Sequence, residues 1–212
     1  MSRSAPDALA RRPHRVELLS TVLLACAAVA TAFSTYQSTR WRGEQSIDFS
    51  KATAARIQSA AAYGRAGQLT QIDVAVFTKW VNATVGGKTG LARFYRERFL
   101  PEFRPAFAAW VATKPLSNAQ APPTPFAMPQ YRVADAVTSE RLNLAAGAGS
   151  AAAARANDRA NDYVLAVVLF AAALFFAGIS TKLEAIRQRE TLLAIGWTIF
   201  LGTVVWILVL AV

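Results

Sequence analysis

One cysteine and one histidine in 212 residues leave little material for metal or redox chemistry. Cys26 has no partner for an intramolecular disulfide, and His14 has no second imidazole with which to hold zinc. His14 also sits in a short basic leader, so a Ser-His-Asp or Cys-His site would need it beside a nucleophile it cannot easily reach. Charge is scarce too, at 17% of residues where soluble domains carry about a quarter. What charge there is leans one way, with 23 Lys+Arg against 13 Asp+Glu and a net +10. No basic block of four or more occurs, which argues against nucleic acid and leaves anionic lipid headgroups as the expected partner of the cations. In place of charge there is apolar side chain, 54% of the chain with a mean hydropathy of +0.27, and this points to a protein embedded in a bilayer.

Three apolar runs carry that reading. Residues 16–36 hold 21 residues with one ionisable group, Glu17, at the edge, enough at about 1.5 Å per residue to cross a hydrocarbon core of roughly 30 Å. Residues 163–181 and 192–212 contain no charge and are joined by a short loop, residues 182–191, so they read as a membrane hairpin. Tyr36, Trp41 and Tyr163 stand where interfacial aromatics belong. The first run has two rivals, a signal peptide ending at Ala30-Thr31-Ala32 and a lipoprotein site at Leu23-Leu24-Ala25-Cys26. Because the apolar pattern continues past Cys26 to Phe33 and on into helix-compatible sequence, an uncleaved helix is the preferred reading.

The short loops set the orientation. Arg3, Arg11, Arg12 and Arg15 in the leader (residues 1–15) and Lys182, Arg187 and Arg189 in the hairpin loop place both segments in the cytoplasm. Arg11, Arg12, Arg15, Lys182, Arg187 and Arg189 are the expected headgroup contacts. Residues 37–162 then lie outside the bacterial inner membrane, on the extracytoplasmic side. The inverted arrangement is the rival, since this central segment itself carries 16 Lys+Arg against 9 Asp+Glu, with Arg40, Arg42, Arg155 and Arg159 flanking the membrane.

Within residues 37–162 the periodicity is helical. After Gly43, the positions Ile47, Ala54, Ile57, Ala61, Gly64, Gln68, Ile72, Val76 and Trp80 recur at spacings of three, four or seven, and predict a long helix with a narrow, small-residue face. Ala52, Ala54, Ala55, Ser59, Ala60, Ala61, Ala62, Ala66 and Gly67 leave so little side-chain bulk that a partner helix, from this chain or another copy, can approach closely. Gly64 and Gly67 are expected to bend it, and Gly86-Gly87 to end it. An aromatic stripe follows, Phe94, Tyr95, Phe99, Phe103, Phe107 and Trp110, interrupted by Pro101 and Pro105, which predicts two short helices with a turn between them. This stripe is either a ligand pocket with a basic rim or, as aromatic residues at helical period usually are, a packing core. Five prolines in residues 115–129 predict an extended loop, with Leu116, Phe126 and Met128 packed back on the cap. A second long helix then leads into the membrane, with Arg155 expected to pair with Asp158 and Arg159 with Asp162. As the first helix is the longer, it is expected to bend or fold back if both helices close on one cap.

Two motifs carry no weight. Gly87-Lys88-Thr89 resembles the end of a phosphate loop, but Asn82 stands where the loop needs glycine and the preceding segment reads as helix. Asn82-Ala83-Thr84 is a glycosylation sequon of the kind that arises by chance.

Several segments resemble bacterial integral membrane proteins of unknown function. They are Tyr36-Gln37-Ser38-Thr39-Arg40-Trp41-x-Gly43-Glu44-Gln45, the stretch from Phe94-Tyr95-Arg96 to Trp110, Pro125-Phe126-Ala127-Met128-Pro129-x-Tyr131, and Asn161-x-Tyr163-Val164-Leu165 with Phe175-Phe176-Ala177-Gly178. The likeness covers most of residues 20–212. It implies a helical stalk closed by a C-terminal membrane hairpin and brings no activity with it.

The expectation is an all-α membrane protein with three transmembrane helices and an extramembrane helical stalk or bundle. No catalytic, cofactor or metal residues are assigned, and no enzyme activity is expected. Assembly is the first functional reading, as a homo-oligomer or with a membrane protein partner. An extracytoplasmic sensing bundle that signals through a partner, or an oligomeric channel, are the alternatives.

Overall fold

Glycine or proline stands at each break from the end of α1 to the start of α4, and the long alanine-rich and apolar stretches become long helices that run through single glycines. In the computed structural model, which describes the backbone of residues 6–210 and the side chains of residues 16–209, the elements are α1 (Pro6–Val85), α2 (Thr89–Glu97), α3 (Arg104–Ala112), a 3₁₀ turn (Pro125–Ala127), α4 (Ala134–Ser180) and α5 (Ile186–Leu210). No strand occurs among the described residues, and the all-α class expected from periodicity is the observed one. Three helices, α1, α4 and α5, are long and apolar enough to cross a membrane, with mean hydropathies of 2.0, 2.4 and 2.3 in their most apolar windows.

The ends of these helices follow their local chemistry. After Val85 the chain turns at Gly87, whose φ of +69° costs a glycine nothing, and Lys88 N–H closes the turn by donating to Ala83 O at 2.9 Å. Pro105 stands in the first turn of α3, where a missing N–H is harmless. Lys114 takes the left-handed conformation after α3, with φ of 52°. α5 begins at Ile186, so Arg187 and Arg189 belong to its first turns rather than to the expected loop over residues 182–191.

The chain forms two compact units, residues 1–48 with 151–212, and residues 49–150. In the first, α1 and α4 pack antiparallel through small side chains: Ala27, Ser34 and Ser38 on α1, and Ala160, Ala166, Ala173 and Ala177 on α4, are all buried. The hydroxyls of Ser20 and Ser180 meet at 3.3 Å, each also bonded to a carbonyl of its own helix. Small residues suit helices in lipid, where close backbone approach replaces the hydrophobic drive. α5 joins at Gly196, where an added Cβ would lie 3.1 Å from Leu23 Cδ2, and Leu193, Trp197 and Phe200 cover Val16, Leu23 and Ala177. The expected pairs of Arg155 with Asp158 and Arg159 with Asp162 do not form among the described residues; the Arg159 guanidinium lies instead over the Trp41 ring, 4.7 Å from its centroid.

The second unit pairs the later part of α1 with the start of α4. Ala52, Ser59, Ala62 and Ala66 are buried, Ser59 Oγ donates to Ser139 O at 2.8 Å, and a Cβ on Gly149 would come 3.1 Å from Ala52 Cβ. Arg65 reaches Asp135 Oδ1 at 3.1 Å at the outer edge. Ala52, Ser59, Ala62 and Ala66 belong to the small residues expected to admit a partner helix, and that partner is α4 of the same chain; of the periodic positions Val76 and Trp80 pack, while most of the others face outward. Ile57 and Ile72 are 66% and 49% exposed, and Ala54, Ala61, Gly64 and Gln68 are exposed with them. The buried face lies roughly a third of the circumference away, because alanine and serine are small enough to let α4 approach and the isoleucines are not. α1 continues as one helix through Gly64 and Gly67. Its extra length past Asp73 is used by Val76, Phe77, Trp80 and Val81, which pack beside the aromatic residues that follow.

Candidate functional site

Phe77 organises the aromatic cluster of the second unit. Its ring meets Phe103, Phe107, Trp110 and Phe126 edge to face, with centroids 5.5 to 6.5 Å apart. Phe99, Phe103, Phe107 and Trp110 are buried, while Phe126, Met128 and Tyr131 pack against them from the proline-rich segment. Trp110 Nε1 donates to Pro122 O at 2.8 Å, which ties that segment down. Four of the six stripe residues therefore form a packed core. Phe94 and Tyr95 do not join it: Phe94 is 44% exposed, meets Tyr95 edge to face and is covered by the Arg98 guanidinium 3.4 Å from its centroid. Leu116 also departs from expectation, at 95% exposed.

Beside this core lies an open cavity of about 540 Å³, rimmed by Arg93, Arg96, Glu97 and Arg104 and floored by Phe99 and Phe107. Arg104 is held in place by Phe99 O, at 2.9 Å from Nε, and Glu97 O, at 3.3 Å from Nη2, so it closes the C-terminal end of α2. Arg96 leans toward the Phe107 ring at 6.0 Å. Three guanidiniums against one carboxylate make the rim attractive to an anion.

The one buried carboxylate here, Asp73, was not singled out by the sequence. It is 2% exposed; its Oδ2 lies 3.2 Å from the Tyr131 hydroxyl, and its Oδ1 has no partner. Tyr131 shares its single proton between Asp73 and Thr70 Oγ1, since Thr70 donates its own to Ala66 O. Burial raises the Asp73 carboxyl above its ordinary value, against the lowering pull of the Tyr131 hydroxyl and the nearby Leu100 backbone, with the Glu102 charge adding to the rise. Burial likewise raises Tyr131.

Of the expected headgroup contacts, Lys182 and Arg187 are exposed, and Arg189 Nε donates to Ser180 O at 3.0 Å, closing the end of α4. The side chains of Arg11, Arg12 and Arg15 lie outside the described residues. Comparison of the chain with protein-family models, with curated proteins and with solved structures finds no match in any of the three.

Proposed function

We propose that this is a non-enzymatic integral membrane protein of the bacterial inner membrane whose helical domain, residues 37–162, holds two copies of the chain together on the extracytoplasmic side. One observation carries the reading. In the second unit the helices close on alanine and serine, and leave Ile57 and Ile72 on α1 and Val137 and Leu144 on α4 between 49% and 70% exposed. A helix pair that hides its small residues and displays its larger apolar ones has a face built for a further helix. On α1 the exposed residues Ala54, Ile57, Ala61, Gly64 and Gln68 fall at alternating spacings of three and four, the pattern of self-associating helices, with one polar residue to fix register. Two copies inserted the same way bring α1 beside α1 in parallel, so like residues meet across a two-fold axis. The likeness to bacterial membrane proteins of unknown function belongs to the same proposal.

The test is cross-linking in native membranes, with Cys26→Ala as background. Oxidation should join Ala61→Cys and Gly64→Cys to their own copies, and leave Tyr63→Cys, on another face, as monomer. Equal cross-linking at all three positions would remove the proposal. Ser117→Cys, labelled by an impermeant maleimide in intact cells, reports the side of the membrane; labelling only after lysis would invert the topology.

A second reading, ligand sensing through a partner, draws on the arginine-rimmed cavity over Phe99 and Phe107. It predicts stabilisation of the protein by an organic anion, and loss of that effect in Arg93→Gln.

A further inference from the structure

A second cavity, in the first unit, has a different composition and a different position. It measures about 360 Å³ and lies between α1 and α4, lined by Arg40, Trp41, Glu44, Asp48, Arg155 and Arg159, with Ala152 and Ala156 leaving the space. Its place along the chain matters as much as its chemistry. Arg40 follows the apolar run of α1 by about one turn, and Arg159 precedes the apolar run of α4 by about one turn, so both stand at the depth of lipid headgroups.

The Arg159 guanidinium lies against the Trp41 indole, 4.7 Å from the ring centroid. Stacking of this kind fixes the plane of the guanidinium and leaves its N–H edge free to donate. Among the described residues, Arg40, Glu44, Arg155 and Arg159 make no ion pair with one another. Alanines opposite Trp41 and Glu44 keep the cleft from being filled by protein.

The charges are also ordered by depth. Arg40 and Arg159 lie nearest the apolar runs, Glu44 and Arg155 about one turn further out, and Asp48 about one turn beyond that. Arg40 and Arg159 at the level of the lipid phosphate, with both carboxylates of the cleft further out against Arg155 alone, match a headgroup that carries its phosphate inward and an ammonium outward. A bare anion would find its outer side facing Glu44 and Asp48.

We infer that this cleft binds the headgroup of one phospholipid of the ethanolamine type, its phosphodiester held by Arg40 and Arg159 and its ammonium by Glu44. Trp41 acts as the wall that aligns Arg159. Arg155, one turn further out on α4, serves the phosphate by extending inward along the helix toward Arg159.

Native mass spectrometry of the full-length, delipidated protein in detergent tests this, with dioleoylphosphatidylethanolamine, dioleoylphosphatidylglycerol or inorganic phosphate as the probe. One phosphatidylethanolamine should be retained in preference to phosphatidylglycerol. Arg40→Gln and Arg159→Gln should each weaken that retention about tenfold, the loss expected of one charge-assisted contact. Glu44→Gln should abolish the preference between the two lipids, and Lys182→Gln, remote from the cleft, should change nothing. Retention unaffected by the arginine substitutions, or phosphatidylglycerol held more tightly than phosphatidylethanolamine by the unaltered protein, would overturn the inference. Displacement of lipid by inorganic phosphate at equal concentration would overturn it too, marking a site for the free ion. The ranking on the unaltered protein decides even if a variant fails to fold.

Discussion

Phe103 and Phe94 belong to one sequence stripe and to two different environments, so truncating each to alanine separates core from surface. Phe103 is fully buried, with five ring partners, Phe77, Phe99, Phe107, Phe126 and Tyr131, at centroid distances of 4.9 to 6.1 Å. A buried Phe→Ala change costs about 3–5 kcal/mol, and five aromatic neighbours that cannot collapse into the gap put Phe103→Ala near the upper end of that range. Phe94, 44% exposed with Tyr95 and Arg98 as ring neighbours, should lose about 1 kcal/mol. For a unit of this size, roughly 4–8 °C of melting temperature per kcal/mol separates the two widely. Near-ultraviolet circular dichroism of the detergent-solubilised protein follows the melting of this aromatic cluster. Equal shifts for the two variants would refute the assignment of Phe99, Phe103, Phe107 and Trp110 to a packed core.

The remaining expectations concern single groups. With the Asp73 carboxyl raised by burial, the acid is neutral in both folded and unfolded chains at low pH; as pH rises the unfolded chain ionises first, and stability is lost through the folded value. Asp73→Asn should therefore be the more stable protein at neutral pH and lose that advantage below about pH 4, as read by denaturant titration across the acid range; parallel curves would contradict it. Gly147→Ala, in open space, should gain up to about 1 kcal/mol from helix propensity, whereas Gly149→Val should cost about 1–3 kcal/mol by pushing α4 off Ala52. Thermal melts of the pair should move in opposite directions. Lys114→Gly should raise stability by about 0.5–1 kcal/mol, by relieving a left-handed φ of 52°; a lower melting temperature would count against it.

Much of the architecture was legible because glycine and proline act locally. Gly86-Gly87 ends α1, Pro101 separates α2 from α3, Pro105 opens α3, and the proline-rich segment forms no long helix, all through backbone constraints that need no tertiary context. The apolar runs were legible for a similar reason, since length and hydropathy are properties of a single segment. The packing face of α1 was legible in part. Its run of small residues marked Ala52, Ser59, Ala62 and Ala66 as open to close approach, and α4 docks there; periodicity weights bulk, and the positions Ile57 and Ile72 that it selected face outward. The aromatic stripe was half legible: its helical period placed Phe99 to Trp110 together but said nothing of Phe77 or Tyr131, which arrive from other helices and segments. Asp73 left no signal at all, as an isolated aspartate among helical residues normally faces water. Arg159 was assigned a partner on its own helix, and found Trp41 across the interface instead.

The seam of alanine and serine between α1 and α4 in the second unit has a mechanical consequence. Helices that interlock through leucines resist displacement in every direction, because each knob must climb out of its hole. Here Ala52, Ser59, Ala62 and Ala66 present an almost smooth surface to Gly149, Ala146 and Ser139, so that axial register rests on a few polar contacts, Ser59 to Ser139, Arg65 to Asp135 and Arg56 to Ser150. Apart from these, such a seam holds the helices close but offers little friction along their axes. The interdigitated rings around Phe77 do the opposite, locking α1 to the segment that leads into α4. The unit is thus a bearing with a clamp at one end, and loosening the rings would free the two helices to slide.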